Sequence, residues 1–492
     1  MVKTAGWLLP AILALAGCSS SGQRHEQTLS QALTALGQDK ALIGASSGVM
    51  VRDAESGTVL YQAHAQQRLA PASNMKMFTS LAAFGVLGAD YRFETRLLTT
   101  GEQRGDTLRG DLYLQGSGDP TLHPDDLDTF AATLAQRGIR HIHGRLILDA
   151  SAFDQTPFGA GWSWDDEPFA FAAPISALNY AFTPGGDINV VRVDVQPGAR
   201  AGAPGRVSFY PANDAVTLVN RTTTTTTTGG DTALTFDRQP GSNRIVVSGT
   251  VAAQAEASSR LITVDQPARV VGALLQNALR AHGITLRGNA EEGVTPAGAR
   301  LLAEKTSPPL SRLAVTFLKV SNNGYGEVLT KAMGRKTQGK GDWAAGLQAI
   351  GRFVQSQGIK AGAYRQVDGS GLSRMNQITP QQLTTLLLAA RKQPWFADWY
   401  NALPIAGQPG LLVGGTLRSR MVKSAAAGRA HAKSGSMTGV SSLSGYVDSA
   451  TGRPLAFAII SNNYLVPGAE VKALEDRLVE TLAACDATVV CR

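Results

Sequence analysis

Apolar residues recur three and four positions apart in several stretches of the chain, which is the spacing of one helical face. This spacing predicts helices near both ends of the chain and in its middle: 25–36, 73–84, 268–282, 311–333 and 468–484. The polar run Val320-Ser321-Asn322-Asn323-Gly324 interrupts the fourth of these, so that helix is predicted on both sides of a short break.

Short β-branched and apolar runs between turn residues predict strands elsewhere. Residues 47–65 predict a β-hairpin, and three strands are predicted close to the C-terminus, at 429–436, 441–447 and 455–460. From about residue 100 to 265 short strands alternate with turns, so this region is predicted to be largely β. Together with the helices, these strands predict an α+β protein.

Length and charge place the chain among globular proteins. Its 492 residues are enough for roughly two to four domains with a large core. The formal net charge of +8 is spread along the chain, which fits anionic surroundings such as lipid head groups or acidic wall polymer. We find no nucleic-acid motif, and dispersed charge does not predict nucleic-acid binding.

The N-terminus predicts a targeting segment. Lys3 precedes an apolar run at 6–16 that is too short to span a membrane as a helix. The run ends in Leu-Ala-Gly-Cys, which resembles the bacterial lipobox, so Cys18 is predicted to be lipidated and residues 19–27 to form a tether. Ser19 then implies a periplasmic protein anchored in the outer membrane. The alternative is a simple secretory signal with an incidental cysteine.

The other cysteines, Cys485 and Cys491, lie near the C-terminus. In an exported protein such a pair is interpreted as a disulfide, here one that closes a small loop and ties down the tail. No metal site is predicted, because these cysteines have no nearby histidine. His141 and His143 share a predicted strand face but lack a third ligand, so we interpret them as solvated.

The stretch Ser73-Asn74-Met75-Lys76 carries the first candidate chemistry. Residues three apart share a helical face, so the Ser73 hydroxyl and the Lys76 amine are predicted to lie together at a helix N-terminus. A serine becomes a nucleophile when a base takes its proton, and a lysine removed from water can be that base. Taken alone, the pattern also fits a capping serine and a solvated lysine.

Two later segments supply partners. Ser321-Asn322-Asn323 lies in the helix break, and Lys433-Ser434-Gly435 lies on the predicted strand at 429–436. The motifs Ser-x-x-Lys, Ser-x-Asn and Lys-Ser/Thr-Gly, in this order on helix, loop and strand, are typical of penicillin-recognising serine enzymes. The sequence therefore resembles the D-alanyl-D-alanine carboxypeptidase/endopeptidase family, the class C low-molecular-mass penicillin-binding proteins of serine peptidase family S13.

A long separation between Ser73 and Ser321 distinguishes this family from β-lactamases and simpler carboxypeptidases. The resemblance implies a β-lactamase-like transpeptidase domain, an antiparallel sheet flanked by helices, interrupted by two nested, largely β domains. The predicted parts are a signal peptide at 1–18, a tether at 19–27, a catalytic domain at 28–98 and 300–492, inserted domain II at 99–120 and 190–299, and inserted domain III at 121–189.

The resemblance implies roles for the first two motifs. Ser73 would attack the carbonyl between two D-amino acids, and Lys76 would take the proton of its hydroxyl. Ser321 would pass a proton to the leaving amine. Asn323 would hydrogen-bond Lys76 and the amide of the substrate.

The third motif, by the same resemblance, would hold the substrate. Lys433 and Ser434 would bind the terminal carboxylate, and Gly435 would allow close backbone approach. The backbone N–H groups of Ser73 and Ser436 would form the oxyanion hole. The family also implies a pocket for the side chain of meso-diaminopimelate. Its candidates by position are Asp166, Arg374 and Met437, for which the alternatives are a surface salt bridge or a packing methionine.

The predicted function is an exported serine DD-peptidase acting on peptidoglycan peptides. It would hydrolyse the terminal D-Ala-D-Ala bond, D-Ala-diaminopimelate cross-links, or both, and it would bind β-lactam antibiotics, with no metal or organic cofactor required. One alternative is a β-lactamase or esterase on the same fold, although no Glu-x-x-Leu-Asn segment is present. The other is a non-catalytic wall-binding lipoprotein.

Overall fold

The computed structural model describes residues 27–226, 232–485 and 489–490 of the chain. The predicted signal peptide, Cys18 and Cys491 lie outside these described residues. Helices and strands are both abundant, and the predicted α+β class is confirmed. Within the described ranges, no helix is both long and apolar enough to cross a membrane.

Ten α-helices occur in the described part of the chain. They are α1 Leu29–Gly37, α2 Met75–Val86, α3 Pro124–Gln136, α4 Pro267–Ala281, α5 Leu310–Lys319, α6 Asn323–Gln338, α7 Trp343–Ser356, α8 Pro380–Ala390, α9 Phe396–Asn401 and α10 Gly468–Ala483.

The strands of the described residues fall into six sheets. In chain order they are β1 Gln27–Thr28, β2 Ser46–Asp53, β3 Val59–Ala63, β4 Glu94–Thr99, β5 Glu102–Arg104, β6 Thr107–Arg109, β7 Leu112–Gly116, β8 His141–Ile142, β9 Leu146–Asp149, β10 Val190–Gln196, β11 Arg206–Tyr210, β12 Thr217–Thr225, β13 Ala233–Arg238, β14 Arg244–Ala252, β15 Ser258–Thr263, β16 Thr285–Leu286, β17 Ala290–Glu292, β18 Arg300–Thr306, β19 Ala430–Met437, β20 Val440–Asp448, β21 Pro454–Asn462 and β22 Val489–Val490.

The central sheet is antiparallel and has the strand order β19-β20-β21-β2-β3. Both of its faces are covered. Ala458 and Ile460 of β21 share one core with Phe78 of α2, whereas Leu455 and Phe457 share another with helices α1 and α10. Burial on both faces explains why β21 is a continuous apolar run rather than an alternating one.

Residues 94–306 form a module between α2 and α5, which we call the insertion. Its largest sheet has the order β17-β9-β7-β4-β18, and helices α3 and α4 pack against it. One buried apolar cluster, which includes Leu97, Phe130 and Val193, runs through the insertion. The insertion therefore has a core of its own, separate from the two cores of the central sheet.

The strands that pair in the insertion do not follow the domain boundaries predicted from the sequence. The predicted catalytic segments at 28–98 and 300–492 contain nearly all of β4 and the whole of β18, yet these two strands pair with each other in the sheet of the insertion. Helix α3 and strands β8 and β9, predicted within domain III at 121–189, pack or pair with the segments on either side.

The part of the insertion with sheets of its own is residues 190–263. They form two three-stranded sheets, β11-β10-β15 and β12-β14-β13. The domain boundaries predicted from the sequence, with domain III at 121–189, stay a prediction beside this pairing. Long-range strand pairing of this kind is not revealed by local composition.

Candidate active site

The candidate nucleophile lies on a tight turn that leads into α2. Residues 72–74 form a 3₁₀ turn, and Ala72 has a left-handed backbone with φ of 48°. The buried Asn74 side chain donates to Ser442 Oγ of β20 at 2.7 Å, and that hydroxyl donates to Pro71 O at 2.7 Å. These bonds fix the turn, and with it Ser73, against the central sheet.

Lys76 Nζ is fully buried and has three oxygen neighbours. It lies 2.9 Å from Ser73 Oγ, 2.6 Å from Asn323 Oδ1 and 2.7 Å from Ser370 O. The last two are carbonyl oxygens and can only accept hydrogen bonds. A neutral Lys76 therefore donates its two N–H groups to them, and its lone pair points at the Ser73 hydroxyl.

The surroundings of Lys76 favour that neutral form. Burial lowers the pKa of Lys76 to about 7, and the carboxyl groups of Glu327 and Asp368 oppose this effect. A base with a pKa near neutral pH accepts and returns a proton readily. A lysine that acts as the base of a serine nucleophile must be removed from water, and Lys76 is buried in this way.

Two buried acids, Glu327 and Asp368, hold the loop behind Lys76. Glu327 accepts from the backbone N–H groups of Gly369 and Ser370 at 2.8 and 2.7 Å. Asp368 accepts from the N–H groups of Gly371 and Ser373 at 2.8 and 2.7 Å. Burial raises the pKa of both carboxyl groups. Sequence reasoning assigned no role to either acid.

The second motif faces the third across the site. Ser321 has a left-handed backbone, with φ of 62°, and is followed by Asn322, the residue that caps α6. Lys433 Nζ, fully buried on β19, donates to Ser321 Oγ at 2.8 Å and to Ser434 O at 2.6 Å. Burial lowers the pKa of Lys433 well below its usual value, and the nearby Lys76 adds to this.

Gly435 allows β19 to approach the nucleophile turn. A Cβ atom on Gly435 would lie 2.6 Å from Pro71 O and 3.0 Å from Ser73 N, and it would also overlap Ser442 Oγ. On the preceding residue, Ser434 Oγ donates to Thr416 Oγ1 at 2.7 Å. Thr416 is a further hydroxyl at this end of the site that the sequence did not indicate.

A cavity of about 520 Å³ opens over these groups. It is lined by residues of all three motifs and of the insertion, among them Ser73, Ser321, Asn323, Ser436, Asp166, Arg374 and Met437. All three residues proposed for the diaminopimelate side chain therefore lie in the wall of this cavity. Burial and the neighbouring Asp165 raise the pKa of Asp166, and Arg374 opposes this.

The insertion contributes to the site through backbone carbonyls. Asn323 Nδ2 donates to Phe171 O at 2.8 Å, which fixes the orientation of the amide whose oxygen faces Lys76. Asn322 Nδ2 donates to the carbonyls of Gly185 and Gly186, each at 3.0 Å. The second motif is therefore held by the segment 150–188 of the insertion.

Two predicted features lie away from this cavity. Cys485 is buried and disulfide-bonded, and its predicted partner Cys491 lies outside the described residues. His141 is exposed and pairs with Thr285 Oγ1 at 2.8 Å. Among the residues that the structure describes, no group of three or more His, Cys, Asp or Glu side chains is arranged to hold a metal ion.

The site combines a serine beside a buried lysine, a second serine beside a second buried lysine, and an amide between them. This arrangement suits a serine peptidase that forms an acyl-enzyme intermediate. Residues 29–485 match the model of the D-Ala-D-Ala carboxypeptidase 3 (S13) family. A D-alanyl-D-alanine carboxypeptidase of Actinomadura sp. (strain R39) is 41% identical over 481 residues, which cover 97% of this chain and 88% of that protein.

Solved structures show the same relationship. Penicillin binding protein 4 from Haemophilus influenzae has a TM-score of 0.79 at 27% identity, covering 92% of this chain and 97% of that one. Its structure in complex with a β-lactam has a TM-score of 0.73 at 25% identity, covering 91% and 97%. The chain belongs to the D-Ala-D-Ala carboxypeptidase 3 (S13) family and is a serine carboxypeptidase of that family.

Proposed function

We propose that this protein is an exported DD-peptidase that acts on peptidoglycan peptides through an acyl-enzyme on Ser73. The observation that carries the proposal is the environment of Lys76, whose buried Nζ lies 2.9 Å from Ser73 Oγ and has two carbonyl acceptors, Asn323 Oδ1 and Ser370 O, as its other neighbours. A capping serine and a solvated lysine, the alternative for this motif, do not fit a fully buried amine.

In the first step, Ser73 Oγ attacks the carbonyl carbon of the scissile D-Ala-D-Ala bond, and its proton goes to Lys76 Nζ. The N–H groups of Ser73 and Ser436 donate hydrogen bonds to the carbonyl oxygen and stabilise the negative charge that develops on it. The C–N bond then breaks, and the leaving amine takes a proton that reaches it through Ser321. Ser73 is left as an ester, and D-alanine leaves as the free amino acid.

In the second step, water attacks the ester carbonyl and Ser73 leaves. Lys76, which has given up its proton to the leaving group, is again a neutral amine; it accepts a proton from that water and passes it to Ser73 Oγ as the ester bond breaks. The products are the shortened peptide with a free carboxylate and the regenerated Ser73 hydroxyl. The protein groups supply every proton transfer of both steps.

The wall of the cavity supports a preference for diaminopimelate. The end of that side chain carries an ammonium and a carboxylate, which match the acidic Asp166 and the cationic Arg374 in charge, and Met437 offers an apolar surface for its methylenes. In a cross-linked dimer, the diaminopimelate on the acyl side of the scissile bond keeps its ammonium and carboxylate and would occupy the same pocket, while the diaminopimelate of the other stem supplies the leaving amine. We therefore include endopeptidase action on D-Ala-diaminopimelate cross-links in the proposal.

β-Lactam binding and export complete the proposal. The Haemophilus protein, which is similar over nearly the whole chain, has been seen in complex with a β-lactam, and this supports acylation of Ser73 by penicillin. The N-terminal sequence supports export and a lipid on Cys18 in the periplasmic leaflet of the outer membrane. The mass of the mature N-terminal residue would test the lipidation.

Mass spectrometry of muropeptides incubated with the protein tests the enzymatic function. Wild-type protein should remove one D-alanine from pentapeptides, and cutting of cross-links should yield monomers from dimers. The variant Ser73→Ala should do neither, whereas Ser30→Ala, which changes an exposed serine on α1, should behave as wild type. Hydrolysis by Ser73→Ala, or a wild type that is never labelled by penicillin, would exclude the proposal. Rapid turnover of penicillin would favour the β-lactamase alternative.

A further inference from the structure

A second groove begins where the active-site cavity ends. It has a volume of about 560 Å³ and is lined by the tip of the β19–β20 hairpin and by the segment between β21 and α10. Met437 and Thr438 line both the groove and the active-site cavity. Tyr464, Leu465 and Val466 form its far side. We call it the distal groove.

We propose that the distal groove binds the end of the peptidoglycan stem peptide that is remote from the scissile bond, where the peptide is joined to an N-acetylated sugar. This inference rests on the proposed function, because it extends the same substrate beyond the active-site cavity. It assigns a binding role to residues that belong to none of the three motifs.

The direction of the substrate follows from the order of groups along β19. The proposed carboxylate-binding groups, Lys433 and Ser434, come first, and the proposed oxyanion donor Ser436 follows. A substrate whose terminal carboxylate lies at the former and whose scissile carbonyl lies at the latter must extend its acyl side past Met437. That direction leads to the tip of the hairpin and into the distal groove.

The edge of β19 leaves room for such a path. Within the described residues, β19 forms a ladder with β20 on one side, and its other side carries an isolated bridge between His431 and Ile405. From Ser436 onward an extended peptide can follow this edge, with a rise of about 3.3 Å per residue. Arg374 lies beside this path, because its guanidinium donates to Thr438 O at 2.9 Å and Thr438 lines both cavities.

The chemistry of the distal groove fits a neutral, methyl-bearing ligand. None of the described residues that line it carries a charge, and Met437, Tyr464, Leu465 and Val466 supply apolar surface. Leu465 is 100% exposed, so a ligand that covers its side chain would remove apolar surface from water, which favours binding. The N-terminal alanine and the N-acetylated sugar of the stem are uncharged and carry methyl groups, whereas the diaminopimelate end is charged and matches Asp166 and Arg374.

Two substrates distinguish the contribution of the distal groove from that of the active-site cavity. One is a short peptide whose first residue is diaminopimelate, N-acetyl-diaminopimelyl-D-Ala-D-Ala, and the other is the disaccharide-pentapeptide with the same C-terminal residues. Kinetics of D-alanine release are measured for wild type, for Leu465→Glu and for Ile43→Glu. Ile43 is an aliphatic residue that is also highly exposed but lines neither the distal groove nor the active-site cavity, so it controls for the added charge.

The wild type should prefer the disaccharide-pentapeptide. In Leu465→Glu, its kcat/KM for that substrate should fall roughly tenfold, mainly through KM, because one aliphatic contact is replaced by a charge. Its activity on the short peptide and its rate of penicillin acylation should stay within about twofold of wild type, and these also show that the variant is folded. Ile43→Glu should leave both substrates unchanged.

Three results would overturn the inference. One is a Leu465→Glu variant that keeps full activity on the disaccharide-pentapeptide, and another is an equal loss on both substrates. The third is a wild type that hydrolyses both substrates with the same kcat/KM. A wild type that hydrolyses neither substrate would instead contradict the proposed function, so the two failures can be told apart.

Discussion

Glu327 influences Lys76 in two ways that a sequence motif does not display. Its carboxylate holds the N–H groups of Gly369 and Ser370, and the carbonyl of Ser370 accepts from Lys76 Nζ at 2.7 Å. Its negative charge also favours the protonated form of Lys76, which raises the pKa of that amine. Glu327 thus both positions the base and sets the pH at which it is free to act.

The variant Glu327→Gln should move the pH profile of Ser73 acylation to lower pH. Only neutral Lys76 accepts the serine proton, so acylation by penicillin should decline as the pH falls through about 7 in the wild type. Removing the negative charge lowers the pKa of Lys76, and the midpoint should drop on the order of half a pH unit. The midpoint is measured by stopped-flow kinetics of penicillin acylation from roughly pH 5 to pH 9, a range that extends to both sides of the pKa of Lys76.

Glu470→Gln, which neutralises an exposed glutamate on α10, provides the control and should leave the midpoint where it is. A midpoint that stays constant in Glu327→Gln, or that rises, would show that the charge of Glu327 does not govern Lys76. A lower rate at every pH with an unchanged midpoint would reduce Glu327 to a purely structural group.

Strand β19 and the turn before α2 must approach each other closely for the oxyanion site to form. Gly435 is the residue that permits this, since any side chain there would meet Pro71 O and Ser73 N. In Gly435→Ala, we expect a loss of about 10²-fold or more in acylation rate, the usual effect of losing an oxyanion donor. Overpacking should also cost about 1–3 kcal/mol of stability.

Gly351→Ala is a matched control for that substitution. Gly351 lies inside α7, where the nearest atom to an added Cβ is Tyr364 Oη at 3.6 Å, an ordinary contact. Alanine should be neutral or stabilising there by about 0.5–1 kcal/mol, because glycine is unfavourable in a helix interior. Thermal unfolding and acylation rates of both variants are compared. A fully active Gly435→Ala would refute the close-approach argument.

The sequence predicted the elements that carry local periodicity or a motif. Helices α4 and α10 and the three strands at the C-terminal end of the chain lie within a few residues of their predicted bounds. Helix α3, by contrast, was missed in a region interpreted as β. Its buried residues Leu127, Phe130, Ala131 and Leu134 have the spacing of one helical face, so the helical pattern was present in the sequence and was overlooked in a stretch interpreted as β as a whole.

The buried acids mark a second limit of sequence reasoning. A glutamate within α6 looks like any solvated helix residue, and only the folded chain shows Glu327 fully buried against the loop at 368–376. Pairing between β4 and β18 is equally invisible, because their partners lie on the far side of the insertion. Local chemistry could be predicted from the motifs, whereas long-range contacts required the structure.

At the scale of the whole molecule, the insertion and the helices behind the active site are joined by a buried cation. Lys331 Nζ on α6 is 2.5 Å from Asp154 Oδ1 and 2.8 Å from Thr156 O, both in the insertion. The same ammonium lies 3.8 Å from the ring centre of Trp343. Since the segment after Asp154 also carries Phe171 and Asp166, this contact helps to hold the insertion's part of the active site in place.

The variant Asp154→Ala should therefore be less stable than a double variant in which the cation is removed as well. Alone, it leaves Lys331 buried without its carboxylate, at a cost of about 1–3 kcal/mol. Asp154→Ala with Lys331→Met replaces the pair by apolar atoms, and loss of the buried charge should restore part of that stability. Urea unfolding followed by tryptophan fluorescence is suited to the comparison, because Trp343 contacts the ammonium directly.

The same variants connect the stability of this contact to substrate recognition. Both should lose activity on diaminopimelyl substrates more than they lose reactivity toward penicillin, because the loosened segment carries Asp166 but not Ser73 or Lys76. If the double variant proved as unstable as Asp154→Ala alone, the unpaired charge would not be the source of the destabilisation. If both activities declined together, the insertion would support the nucleophile itself, and its contact with Asn323 through Phe171 O would be the route.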